Sequence, residues 1–296
     1  MKTARGRSVH RLALSPACWG ISEVEDWGPQ LGVERVLTEA EAMGEGAITA
    51  GPLGFLPNQS QETRILLKRH KLRVVAGKVQ AILHHLPTGA AELAHVDGHA
   101  QWLSVIGADT LVLSAIPHPE VAGGQKLILS NAEWAQLLHL IGSVEHVCAR
   151  YRLKLAVQPR FGSTIQDAAD IERLLVGTEA GICFDLGQLV LAGADPVDVV
   201  SLAVGRINHV HMNDVDLNLA RQVRDRVVGY GDAVSRHLFR PLGEGGAQVA
   251  HVVEALRNAK YAGWYTLEQE TRLGSSDERP LGRISRSLEY LLPLLQ

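Results

Sequence analysis

The sequence predicts an α/β protein built as one closed (β/α)8 barrel, and three observations carry that prediction. Eight short, mostly apolar runs recur along the chain, at 12–16, 46–50, 72–78, 110–115, 153–158, 181–185, 206–211 and 264–268. Runs of this kind suit strands covered on both faces. Amphipathic segments separate them. Several runs also stop on a polar residue, as in Leu155-Ala-Val-Gln158, Gly181-Ile-Cys-Phe-Asp185, Arg206-Ile-Asn-His-Val-His211 and Tyr265-Thr-Leu-Glu268. A parallel barrel gathers its active site in that way, from polar groups at the carboxyl ends of successive strands. An open nucleotide-binding sheet is disfavoured, because no Gly-x-Gly-x-x-Gly follows the first run and no Walker loop occurs.

The elements follow in order. Residues 1–11 carry Lys2, Arg5, Arg7 and Arg11 with no long apolar stretch after them, so they read as a flexible basic tail rather than a secretory signal. Residues 12–296 form the single barrel domain. Helical spacing marks Val33, Val36, Leu37, Ala40 and Met43, then Trp134, Leu137, Leu138, Ile141 and Val144. It returns at Val249, Val252, Val253 and Leu256, and from Leu281 to the end of the chain. Ser130-Asn131 and Asp195-Pro196 are helix starts, the latter with proline in the first turn. The third run reads as ending on Lys78 at the catalytic face. The longest excursion, 212–246, carries Arg221, Arg224, Arg226, Arg236 and Arg240. It reads either as a solvated basic face or as a lid over the site. Gly243-Glu-Gly-Gly246 reads as a turn within it.

A chain of 296 residues can bury a large core in one domain. With 46% hydrophobic and 21% charged residues it has the composition of a soluble globular protein. A net charge of −3 gives no case for nucleic acid or an acidic membrane as partner. No apolar run is long enough to predict a transmembrane helix. Cys18, Cys148 and Cys183 are odd in number and far apart, which fits a reduced cytoplasmic protein.

Asp185, His211 and Glu268 at three strand ends suggest a divalent metal, since oxygen and imidazole donors suit Mn, Co, Fe or Zn. Gln158 is the uncharged fourth member, offering a carbonyl oxygen. The alternative is a relic site held by hydrogen bonds. His209 lies two residues before His211, so it shares a face one layer deeper and reads as a core histidine. Lys78 reads as a base, Schiff-base former or anion clamp, or as a solvated loop lysine. Arg160 reads as a bidentate anion clamp or as half of an internal salt bridge. Trp19, Trp27 and Phe55 are candidate aromatic walls above the barrel mouth, or loop packing. Glu23 is a candidate acid in the same region, Gln188 a candidate substrate contact, and His84 and His85 read as surface residues.

Longer motifs then give a resemblance. Trp19-Gly-Ile-Ser-Glu23, Trp27-Gly-Pro-Gln30 and Gly51-Pro-Leu-Gly-Phe-Leu-Pro57 resemble the amino-terminal third of the inosose (2-keto-myo-inositol) dehydratases. Phe184-Asp-Leu-Gly-Gln188, His209-Val-His-Met-Asn-Asp-Val215, Phe239-Arg-Pro-Leu-Gly-Glu-Gly245 and Tyr261-Ala-Gly-Trp264 extend it in the right order, from about Leu12 to Glu270. These enzymes belong to the xylose isomerase-like TIM-barrel superfamily of sugar isomerases, epimerases and dehydratases. The resemblance implies that barrel, a metal site, and a small polyol or keto-sugar substrate. It also implies ligands from strands five to eight, which here fall on Gln158, Asp185, His211 and Glu268, and it allows a homo-oligomer. Departures from the family pattern are equally specific. Ile48-Thr-Ala-Gly-Pro52 lacks the usual second-strand Glu, and Gln158-Pro-Arg-Phe-Gly-Ser163 replaces a His-Pro-His run. Gln188 and Asn213 stand for His and Lys, and Lys78 and Gln80 for Phe and Pro.

The expected function is therefore that of a diverged sugar or cyclitol isomerase, epimerase or dehydratase-like enzyme. It would use metal-assisted proton abstraction next to a carbonyl, with Glu268, His211 and Lys78 as catalytic candidates. An anionic substrate held by Lys78 and Arg160 is one form of that expectation. A metal-independent acid/base enzyme (a cyclase, isomerase or lyase) and a non-catalytic barrel are the alternatives.

Overall fold

A computed structural model describes residues 11–24, 26–119 and 126–296. The tail predicted at 1–11 lies, apart from Arg11, outside the described residues. In chain order the strands are β1 (Leu12–Leu14), β2 (Ala47–Ile48), β3 (Arg73–Val74), β4 (Ala76–Ala81), β5 (Thr110–Ala115) and β6 (Lys154–Val157). They continue with β7 (Gly181–Asp185), β8 (Ile207–Met212), β9 (Asp214–Val215), β10 (Phe239–Arg240) and β11 (Tyr265–Leu267). The helices are α1 (Val33–Met43), α2 (Ser60–Arg69), α3 (Gly89–Ile106), α4 (Asn131–Arg150), α5 (Ala168–Gly177) and α6 (Leu186–Ala192). After them come α7 (Pro196–Leu202), α8 (Leu217–Arg224), α9 (Tyr230–Ser235), α10 (Val249–Asn258) and α11 (Leu281–Leu294).

Among the described residues, nine strand segments form the main sheet in the order β3-β2-β1-β11-β8-β7-β6-β5-β4, and every pairing in it is parallel. The two end segments, β3 and β4, are one bent strand interrupted at Val75. Val75 N donates to Ile48 O at 3.0 Å on one side, and Asp109 N donates to Val75 O at 2.9 Å on the other. The ring of eight strand positions thereby closes, as predicted. The third strand departs from its predicted bounds: it kinks at Val75 and continues to Ala81, so Lys78 stands in mid-strand. Val79 and Ala81 are buried, while Lys78 and Gln80 on the other face are only partly buried. An alternation of that kind is a strand with one wet face, and two polar residues made it look like a strand end.

Local sequence explains the helix starts. Ser130 and Glu133 form a capping box on α4, and Asp167 and Asp170 form another on α5. Asp195 caps α7 with Pro196 in its first turn. Each such cap is worth about 1 kcal/mol. The apolar stripes face the sheet, with Val36, Leu37, Leu137, Ile141, Val252 and Leu256 at most 1% exposed.

The barrel interior is filled at one level by Ala13, Ala47, Ala76, Val112, Ala156 and Cys183. Small side chains are what a narrow barrel admits at its waist. Two residues on from Ala76, Ala156 and Cys183 stand Lys78, Gln158 and Asp185. Two residues on from His209 and Thr266 stand His211 and Glu268. The twofold alternation of strands therefore lifts five polar residues to the same mouth. Among the described residues no helix is long and apolar enough to cross a membrane.

Candidate active site

The strand register brings the ligand candidates together. Asp185 on β7 is the direct partner of His211 on β8. His211 Nδ1 lies 3.2 Å from Asp185 Oδ2 and 3.3 Å from Glu268 Oε1. Gln158 Nε2 donates to Asp185 Oδ2 at 2.7 Å and approaches His211 Nδ1 at 3.4 Å. Asp185 Oδ1 accepts from Gln188 N at 3.1 Å and from Asn213 Nδ2 at 2.9 Å, so this carboxylate also caps α6.

Asp185, His211 and Glu268 each offer a donor atom within 4.8 Å of the others. Donors about 2.1 Å from one ion stand roughly 3 Å from each other, so the spacing of the trio suits a divalent cation. Gln158 adds a second indication. It is 2% exposed, and its Oε1 has no hydrogen-bond partner. A buried carbonyl oxygen left unpaired costs on the order of 1–3 kcal/mol, and a cation would satisfy it. The residues present thus fit a divalent metal.

The electrostatics of the trio are coupled. Burial works against charge on Glu268, but His211 and then Lys78 outweigh it and bring the carboxyl down to about 2. Burial likewise opposes charge on His211, yet Cys183, Glu268 and Asp185 together hold its imidazole well above the ordinary histidine range. His209, one layer below, is fully buried and donates to or accepts from Thr266 Oγ1 at 2.9 Å, as expected of a core histidine. Burial and the neighbouring His211 keep it neutral.

The pocket above the trio is lined by Glu23, Trp27, Lys78, Arg160, His211, Tyr230, Glu268 and Glu270, among others. Lys78 Nζ is 2.9 Å from Glu23 Oε1, and Gln80 also donates to that carboxylate. Arg160 is 3.7 Å from Glu270 Oε1. Both cations read from the sequence as anion clamps are therefore already paired with carboxylates.

Three other expected site residues stand elsewhere. Trp19 is fully buried, with Nε1 donating to Glu39 at 2.8 Å. The 3-10 turn Pro16–Trp19 that follows β1 swings it into the core rather than over the mouth. Phe55 packs against Gly51, where an added Cβ would come within 2.8 Å of its ring, and does not line the pocket. Gln188 is 1% exposed and sits behind the pocket wall, donating to Tyr230 Oη at 3.1 Å and to Glu270 at 3.2 Å. His84, read as a surface residue, is only 5% exposed, whereas His85 is half-buried against His118.

Two titratable pocket residues escaped the sequence reading. Glu270 was hidden by its neighbour Glu268, although the spacing of two, which puts both on one face of an extended segment, was a usable signal. Tyr230 comes from the excursion after β8 and carried no sequence signal. That excursion is structured: β9 and β10 pair antiparallel, with α8 and α9 between them. Its arginines 221, 224, 226 and 236 are exposed and Arg240 pairs with Asp216 at 2.9 Å, which is the solvated face. Tyr230, at the start of α9, is what the excursion contributes to the pocket.

The family described as Xylose isomerase-like TIM barrel matches residues 30–294. The chain is 26% identical over 276 residues to an inosose dehydratase of Geobacillus thermodenitrificans (strain NG80-2), covering 88% of this chain and 89% of that one. It is also 26% identical, over 267 residues, to the rhizopine catabolism protein MocC of Rhizobium meliloti, covering 88% and 81%. Among solved structures it is similar to the IolI protein with a bound zinc atom, with a TM-score of 0.72 at 13% identity, covering 96% and 98%.

Proposed function

Because this chain belongs to the xylose isomerase-like TIM barrel family, we propose that it is a metal-dependent enzyme of the isomerase, epimerase and dehydratase class. Within that class we assign it the dehydration of a neutral polyhydroxylated ketone of the inosose type, after its relatives. The observation that carries this reading is the convergence of Asp185, His211 and Glu268 at donor spacing beneath a pocket whose cations are already paired. Lys78 and Arg160 stand against Glu23, Glu270, Asp185 and Glu268. A cation bound there would displace the proton from His211, and with that imidazole neutral the excess is two negative charges, which one divalent cation would cancel. A neutral site favours a neutral substrate over the anionic one.

A divalent cation bound there would supply Lewis acidity to the keto oxygen and a neighbouring hydroxyl, making the adjacent C–H more acidic. The chain's own residues supply the rest. Glu268, a carboxylate lining the pocket, takes the proton from the carbon beside the carbonyl. Lys78, steadied by Glu23, stabilises negative charge developing on the substrate oxygen. Arg160 holds a substrate hydroxyl, and Trp27 closes one side of the pocket against water. A metal-free acid/base reading draws on one observation: Asp185 already accepts four hydrogen bonds, so the cluster holds together without an ion.

The test is metal content by plasma mass spectrometry on the untagged protein, beside an Asp185→Ala/His211→Ala double variant, with 2-keto-myo-inositol supplied to both. Near-stoichiometric Mn, Co, Fe or Zn and loss of water from the substrate, both abolished in the double variant, is the expected result. Turnover by protein that stays empty after soaking in Mn, Co or Zn would transfer the reading to metal-free chemistry. Absence of metal and of turnover together would leave a non-catalytic barrel.

A further inference from the structure

We propose that Tyr230 is a catalytic residue that gives its phenolic proton to the hydroxyl leaving the substrate, an inference that rests on the dehydratase reading above. Elimination of water beside a carbonyl needs two proton-handling groups, one to take the C–H proton and one to protonate the departing oxygen. His211 and Glu268 belong to the ligand cluster. Lys78 is tied to Glu23, and Arg160 does not give up its proton. Tyr230 lines the same pocket and carries a neutral O–H, which donates to the lining residue Glu270.

Its position is fixed from several sides. The ring lies 6.4 Å from both Trp27 and Phe239, centroid to centroid. Gln188 Nε2 donates to the phenolic oxygen at 3.1 Å, and the O–H donates to Glu270 Oε2 at 2.7 Å. Gln188 is itself anchored, since its Oε1 accepts from Phe161 N at 3.2 Å. Glu270 Oε1 accepts from Gln188 and faces Arg160. A phenylalanine would satisfy the ring contacts. A polar network of four buried or half-buried side chains is costly unless every member is paired, and here it serves to aim one hydroxyl. Burial and Glu270 together keep the phenol protonated at neutral pH.

The step balances as follows. Glu268 takes the proton from the carbon beside the carbonyl, and the electrons of that bond form the new C=C. The C–O bond on the next carbon breaks with its pair on oxygen. The phenolic proton of Tyr230 moves to that oxygen, and water leaves. Solvent reprotonates Tyr230 and Glu268 releases its proton to solvent, so the net change is loss of one water with no redox. Arg160 beside Glu270 limits the negative charge gathered around the transient phenolate.

The experiment compares the metal-loaded wild type with Tyr230→Phe on 2-keto-myo-inositol in D2O. NMR follows deuterium entering the carbon beside the carbonyl, and ultraviolet absorbance of the unsaturated ketone follows water loss. Wild type is expected to do both. The variant is expected to exchange within about threefold of wild type and to lose elimination by about 100-fold or more, with metal content and Tm unchanged. Elimination in the variant within about threefold of wild type overturns the proposal. Equal loss of exchange and elimination also overturns it, because the effect of Tyr230 would then precede departure of the hydroxyl. A wild type that exchanges without eliminating points to an epimerase and removes the need for this acid. A wild type that does neither defeats the dehydratase reading itself, and the Tyr230 step with it.

Discussion

On α3, His99 is 5% exposed and stacks on Trp102 at 5.6 Å. Its ring bonds to the Lys78 backbone, while Nε2 has no partner. Burial, and then His95, push its imidazole from 6.5 down to about 4. A histidine that binds protons less readily when folded contributes stability that is complete above about pH 6.5 and is lost as pH falls toward 4. Between pH 7 and pH 5 that loss is about 2 kcal/mol. Urea unfolding of metal-free protein at the two pH values, beside His99→Phe, checks it. The variant should lose less stability on acidification, and an identical pH slope would remove His99 as the cause. Such a residue is invisible to sequence reading, because nothing in the spacing of α3 tells which histidine the neighbouring strand covers. Gln188 failed similarly: three residues after Asp185 it is turned by α6 behind the wall instead of into it. Asp185, His211 and Glu268 were legible because each ends an apolar run, where a parallel strand has one direction left for a polar side chain.

At the scale of elements, the excursion between β8 and α10 is held by Asp214. This carboxylate is 1% exposed and accepts from the backbone of Gly243, Gly245 and Ala247 at 2.9, 3.0 and 2.9 Å. The glycine-rich turn expected there thus wraps an anion of its own chain. A Cβ at Gly245 would stand 2.3 Å from Asp214 Oδ1, so the turn demands glycine at that point. Replacing Asp214 by Ala orphans these three backbone donors and that of Val215, which also donates to the carboxylate at 2.9 Å, and should cost about 3–5 kcal/mol. Asp214→Asn keeps one acceptor oxygen and should cost less. Urea unfolding measures both losses, and limited proteolysis should open the excursion first in the alanine variant. A loss below about 1 kcal/mol would show that water replaces the carboxylate without penalty. The sequence marked this region as an excursion with basic residues. It did not reveal β9, β10 or the delivery of Tyr230, since two-residue strands carry no periodicity to read.

Across the whole molecule, the barrel was legible because eight apolar runs and their intervening stripes repeat the same physical demand, a strand buried on both faces under a helix with one apolar face. The loops above the mouth were less so, as Trp19 and Phe55 illustrate: the same local sequence lets an aromatic in a loop pack in either direction. The closed ring also sets what a metal would do to stability. Asp185, His211 and Glu268 sit on β7, on β8 and just past β11, neighbouring strands joined only through long crossovers. The unfolded chain therefore cannot present the three together, and an ion bound to them favours the folded state alone. At a free concentration of about 100 times its dissociation constant the ion adds about 2.7 kcal/mol, which for a domain of this size raises Tm by roughly 5 °C. Chelator-stripped protein titrated with Mn or Zn should show that rise in a thermal melt. Asp185→Ala/His211→Ala should show none, and Gln158→Ala should need more metal to reach it. A stripped wild type whose Tm is unmoved by either ion at millimolar concentration would mean that the trio is satisfied by its own hydrogen bonds.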